Sequence, residues 1–125
     1  MAVEDYVARH RELKRGFVGL HQAMPRTMAG FASMHGGALE DGALPRSTKE
    51  LIALAIGISG HCDGCIAFHV HDALAAGATR PQIEEAIAVA VFMGGGPSAV
   101  YGADALTALD QFEAQQARAV ASGSC

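Results

Sequence analysis

An all-α bundle of five or six helices is predicted for this 125-residue chain by three observations. Apolar residues recur at helical spacing through most segments, caps and Gly or Pro positions punctuate the chain at short intervals, and no segment alternates convincingly as a strand. Half the residues are apolar and only 6% are aromatic, so Ala, Leu, Ile and Val must build the core. Such a composition supplies more apolar surface than a monomer of this size needs, which predicts self-association.

The first helix is expected from Val3 to about Met24, with Val7, Leu13, Phe17 and Leu20 near one side. Pro25 opens a second helix through Met28, Phe31 and Met34, which Gly36-Gly37 should end, leaving Ala38 to Pro45 as a loop. Ser47-Thr-Lys-Glu50 reads as a capping box, with Ser47 accepting from the third helical amide and Glu50 reaching back to the cap. The helix behind it, Leu51 to Ser59, is apolar on nearly all sides and should be central. Another helix should begin near His61 or Cys62 and end at Ala76-Gly77, where glycine supplies a left-handed turn. Thr79 as N-cap, Pro81 in the first turn and Gln82 three residues on start the next, in which Ile83, Ala86, Ile87, Ala90 and Val91 follow at helical spacing. Gly94-Gly-Gly-Pro97 breaks it and opens the last helix, Ser98 to about Val120. One domain over residues 1–125 is expected, with a loose tail ending in Cys125, read as an incidental thiol.

A formal net charge of −4 excludes the basic face that a nucleic acid or an anionic membrane requires. Charges at Glu4, Asp5, Arg9, Glu12 and Lys14 interrupt any signal-peptide core, and no stretch approaches the roughly 20 apolar residues of a membrane span. A soluble, cytoplasmic protein is therefore expected. Three cysteines fit poorly with a secreted disulfide framework, and in a reducing compartment a close pair points to catalysis or metal binding.

Chemistry concentrates at Cys62-Asp-Gly-Cys65 and His69. On a helix turning about 100° per residue, Cys65 lies roughly 60° from Cys62 and His69 about 40° beyond Cys65, so all three share one face. Cys62 should sit in the first turn, where free amides and the positive dipole end favour a thiolate. His69 is placed to exchange a proton with Cys65. Either Cys65 attacks a peroxide and its sulfenic acid is resolved by Cys62, or it attacks a partner's disulfide and Cys62 resolves the mixed disulfide. Asp72 is a candidate to orient His69, although a solvated role is the more ordinary reading. Zinc is disfavoured because no second cysteine pair supplies the remaining ligands, leaving only His61, Glu50 or a water as a fourth. No metal or cofactor is expected. Glu50 is explained locally by its capping role, and His61 by capping or shaping the site. His71 points about 120° from Cys65 and should be surface or interface, and His10, His21 and His35 follow no usable pattern. Phe68 and the Met93-Gly94 bend are candidates for an apolar entrance. Gly94, Gly96 and Ala99 match a loose dinucleotide pattern but lack the strand that the motif needs; the glycines better serve close helix contact and a tight turn.

Taken together, Glu50, Cys62, Cys65 and His69 resemble the redox branch of the AhpD-like, carboxymuconolactone decarboxylase superfamily. Its mark is a Glu, a C-x-x-C and a His one turn after the second Cys. The likeness continues through Ala75-Ala-Gly-Ala-Thr79 and the Ile83-Glu-Glu-Ala-Ile-Ala-Val helix, and so is strongest over residues 45–110. The resemblance implies an all-α, obligately oligomeric fold and an alkylhydroperoxidase or disulfide-reductase activity. It assigns Cys65 as the thiol that becomes sulfenic, Cys62 as proton donor and resolving thiol, and Glu50 with His69 as a water-assisted proton relay. Short members of that family typically form hexamers, so a homohexamer is favoured here, with a trimer as the alternative. The implied partners are a hydroperoxide substrate and a reductant that is a thiol, a lipoyl group or a thioredoxin-like protein. The characterised peroxidase carries a His between its cysteines where this chain has Asp63-Gly64, which predicts weaker proton transfer. Two other classes remain open: a carboxymuconolactone-type decarboxylase, whose members generally lack the cysteine pair, and a non-enzymatic thiol redox sensor or scaffold.

Overall fold

The computed structural model describes residues 3–123, so Cys125 lies outside the described residues. Six α-helices follow one another: α1 Tyr6–Ala23, α2 Pro25–Leu39, α3 Arg46–Ser59, α4 Asp63–Ala75, α5 Arg80–Gly94 and α6 Gly96–Ala121. No strand occurs among the described residues, as the sequence predicts. The core joins Tyr6 of α1, Leu54 and Ile58 of α3, Ile66 and Val70 of α4, Ile83 and Ile87 of α5, and Leu109 and Phe112 of α6. Buried alanines, among them Ala67, Ala73, Ala105 and Ala108, let these helices approach closely. None of the core cluster comes from α2, which lies against α1 and only lightly against α3.

Three expected boundaries move. The first helix starts at Tyr6 rather than Val3, because the Asp5 side chain accepts from the Ala8 amide at 2.9 Å and caps it there. Gly36-Gly37 does not end α2, which continues to the buried Leu39. The capping box at Ser47 is not formed. Pro45, extended at φ −68° and ψ 156°, is the N-cap of α3, and Asp41 Oδ1 accepts the Arg46 amide at 2.6 Å. A carboxylate from the preceding loop has taken the role assigned to Ser47, and Glu50 is released from capping.

The other end of α3 fixes the redox pair. His61 donates its amide to Ile58 O at 3.1 Å and Cys62 donates to Gly57 O at 3.0 Å, the two bonds of a Schellman motif. Its left-handed position, normally glycine, is occupied by His61 at φ 55°, with its ring stacked on Tyr101 at a centroid distance of 4.7 Å. His61 thus closes α3 rather than capping α4. The same motif recurs after α4, there with Gly77 at φ 95° and with Gly77 and Ala78 donating to Leu74 and Ala73. The expected capping box at Thr79 and Gln82 is present in full.

Candidate functional site

Because α3 ends in a turn two residues long, α4 begins immediately at Cys62. Cys62 is the N-cap rather than a first-turn residue, and its Sγ accepts the Cys65 amide at 3.2 Å. The two sulfurs are bonded to each other, with Cα atoms 5.2 Å apart. Close approach of α3 beneath them depends on Gly57, where a Cβ would lie 3.0 Å from Cys65 Cβ. Gly64, inside the C-x-x-C, faces α1: a Cβ there would meet Leu13 Cδ1 at 2.9 Å. Leu13 therefore occupies the space into which a side chain between the cysteines would project.

Glu50 has no solvent exposure, and its Oε1 lies 2.9 Å from His69 Nδ1. An acceptor carboxylate fixes the hydrogen on Nδ1 and leaves Nε2 as the basic nitrogen. The Arg46 guanidinium stands 3.7 Å from Glu50 Oε2, which has no hydrogen-bond partner among the described residues. Helix α3 thus carries Glu50 to α4, and α4 carries His69, so the contact forms only when the two pack.

Asp72, one candidate to orient His69, instead hydrogen-bonds His71 Nδ1 at 2.8 Å. Burial pushes the Asp72 carboxyl up, but the bond from His71 and the fields of His71, His69 and His10 outweigh it and hold the group below its ordinary value. His71 is half-buried and stacks on His10 at 4.2 Å between centroids. His10 is buried, and burial together with His71 lowers its pKa. The sequence reading gave His10 no role. Its signal was available: Tyr6, His10, Leu13 and Phe17 follow at i, i+4, i+7 and i+11, the inward stripe of α1.

Cys62, Cys65 and His69 open into a cavity of about 580 Å³ between α1, α2 and α4. Phe17, Phe31 and Phe68 wall it, with Phe17 stacked on Phe31 at 6.1 Å and edge-on to Phe68 at 5.7 Å. Phe68 therefore takes the place expected of it at an apolar entrance. Met93 does not, being 74% exposed and absent from the walls, because α5 packs on the opposite side of α3.

Two sets of three donors lie within 4.8 Å of one another: His10, His71 and Asp72, and Glu50, His69 and Asp72. In each set, one pair is already joined by a hydrogen bond, which accounts for the proximity. The bonded cysteines offer no thiolate to a metal.

Residues 25–108 match the sequence pattern of the carboxymuconolactone decarboxylase family, more than half of the chain. The chain belongs to this family. Among carboxymuconolactone decarboxylase family structures it resembles apo-lpg0406 from Legionella pneumophila, at 39% identity and a TM-score of 0.83, over 86% of this chain and 96% of that one. TM1620 from Thermotoga maritima is similar at 26% identity and a TM-score of 0.75, over 90% and 96% of the two chains. An uncharacterized Cupriavidus necator protein, H16_B0147, is 42% identical over 110 residues, spanning 88% of this chain and 97% of its own. The membership places the chain in an enzymatic family of the AhpD-like superfamily and agrees with its six-helix, all-α architecture.

Proposed function

We propose that the chain is a small thiol-dependent alkylhydroperoxidase or disulfide reductase, with Cys65 as nucleophile, Cys62 as resolving thiol, and Glu50 with His69 as proton relay. The carrying observation is the fully buried Glu50, hydrogen-bonded at 2.9 Å to a histidine that shares a cavity wall with the bonded C-x-x-C pair. A C-x-x-C by itself serves several chemistries. A carboxylate held on the neighbouring imidazole, away from water, is what proton transfer at sulfur requires.

In the reduced protein Cys65 gives its proton to His69 and its thiolate attacks the terminal oxygen of a hydroperoxide. The O–O bond breaks, Cys65 becomes a sulfenic acid, and the leaving alkoxide takes the proton from His69 and departs as an alcohol. Glu50 stabilises the imidazolium between these steps, and its free Oε2 can accept from a water in the relay. Cys62 then attacks the Cys65 sulfur, a disulfide forms, and the hydroxyl leaves as water with the Cys62 proton. The Cys65 amide aimed at Cys62 Sγ favours the thiolate this attack needs. An external dithiol restores both thiols by exchange and is itself oxidised, so two electrons pass from dithiol to peroxide.

Turnover of tert-butyl hydroperoxide with dithiothreitol tests the reading. Cys65→Ser should abolish it, and Glu50→Gln should lower kcat/KM by about 10²- to 10⁴-fold, the usual range for an acid-base group. Unchanged turnover in Cys65→Ser overturns the mechanism. Decarboxylation of a carboxylated lactone that survives the Cys62→Ser/Cys65→Ser double variant would establish the family's eponymous reaction in its place.

A further inference from the structure

The cavity beside the disulfide is more specific in shape and chemistry than a peroxide needs. It has two ends. At one, Leu13 of α1 lies against Gly64, between the two cysteines. From there α1 contributes Phe17 and His21, at successive turns of one helical face. Eight residues separate Leu13 from His21, roughly 12 Å along the helix axis. On the facing wall α2 contributes Phe31, Ala32 and His35, with His35 one turn beyond Phe31. The result is an apolar channel about two helical turns long, sulfur at one end and two imidazoles at the other, with the Lys14 ammonium in its lining.

Its single acidic lining residue, Asp72, is already bonded to His71. The basic groups His21, His35 and Lys14 are all exposed and make no ion pair with an acidic residue among those identified. A channel of this kind complements a molecule with a linear apolar body and one anionic end. Its volume falls within the roughly 300–1,000 Å³ of small-molecule sites, and its mostly apolar wall with few polar groups has their usual character.

We propose that this channel binds a linear aliphatic carboxylate, with the chain directed at the Cys62–Cys65 pair and the carboxylate held by His21 and His35, with Lys14 adding its charge. Resting on the redox reading above, the substrate class is the hydroperoxide of a medium-chain fatty acid. Imidazole and ammonium donors hold the carboxylate by charge-assisted hydrogen bonds. Each methylene removed from water adds to affinity, and the aromatic walls exclude water from the chain.

Calorimetric titration of the oxidised protein with hexanoate, octanoate and decanoate tests the binding without any turnover. Affinity should rise roughly threefold to fourfold per methylene. Octanol and octylammonium should bind at least tenfold more weakly than octanoate, the loss expected for a hydrogen bond to a charged group. The His21→Ala/His35→Ala variant should bring octanoate down to the level of octanol while leaving octanol's own affinity in place, which also shows that the channel is intact. Ala32→Trp should block all three acids. A flat series across chain length, equal binding of octylammonium, or a retained preference for acid over alcohol in the double variant overturns the proposal. So does failure of every acid to bind because a second copy of the chain covers the channel. The two readings separate cleanly: acid binding without peroxide turnover removes the redox function and keeps the ligand class, and peroxide turnover without acid binding does the reverse.

Discussion

A carboxylate without solvent is costly unless it is paired, and Glu50 is held on one oxygen by His69 while Arg46 stands 3.7 Å from the other. The sequence supplied the residue and a plausible reason for it, the capping box, and that reason was wrong. A Ser or Thr followed three residues later by Glu describes the local chain only; it cannot register that Asp41, five residues ahead of Arg46, reaches the helix amide first. His10 makes the opposite point, since its place on the α1 stripe was readable and its partner His71 was not. Its lowered pKa, caused first by burial and then by His71, means that the unfolded chain binds its proton more readily. Stability from this site is therefore present above the ordinary histidine value of about 6.5 and is lost as pH falls through that value toward the folded one. Asp72, with its pKa held down, acts in the other sense: its contribution is present above the ordinary carboxylate value of about 3.9 and is lost only on further acidification. The two windows do not overlap between pH 7 and 5. His10→Phe, which keeps an aromatic ring beside Phe68 and Phe112, should flatten the fall of Tm over that range. An unchanged slope in thermal melts would remove His10 as its source.

At the scale of elements, two turns carry the geometry of the site. The α3–α4 turn places a histidine at φ 55°, where an L side chain other than Asn, Asp or His is rare. Replacing His61 by Val should destabilise the fold by about 1–2 kcal/mol in urea titration, because a branched Cβ is strained in that region. His61→Gly should cost less, since relief of strain offsets the lost stacking on Tyr101. Equal costs for the two would show that ring contact alone decides the position. The α5–α6 turn works through Gly94 and Gly95. A Cβ on Gly94 would stand 2.6 Å from Ser98 Cβ, and Gly95 has φ 69° and ψ −149°. Gly94→Ala should therefore cost at least the ~1–3 kcal/mol of an overpacked core, while Gly96→Ala, which meets nothing within 4 Å, should stay within about 1 kcal/mol of the parent. The sequence marked the turn correctly through its run of glycines and Pro97. Which glycine is indispensable depends on what stands opposite, and Ser98 and the α5–α6 crossing decide that.

Across the whole molecule, apolar surface remains uncovered where α3 and α5 meet. Ile52, Ile56, Val89, Phe92 and Met93 are exposed, Phe92 by 82%, on helices that pack against each other. Apolar exposure on this scale is characteristic of an interaction face. The chain should self-associate through it, as a hexamer first and a trimer as the alternative. Light scattering on the purified protein should give a multiple of 12.9 kDa, and Phe92→Asp or Ile56→Asp should lower it. A monomer at micromolar concentration, with both variants unchanged, would refute the assembly. The helical class, five of the six helix starts to within a residue or two, the turn glycines and the shared face of Cys62, Cys65 and His69 were all determined by the sequence, because caps, breakers and a 3.6-residue period act over a few neighbouring residues. Only the tertiary structure decided that Glu50 meets His69, that Asp72 turns to His71, and that α1 and α2 wall a channel onto the disulfide. Those contacts join residues many positions apart on different helices, and no local rule records which faces will be buried against each other.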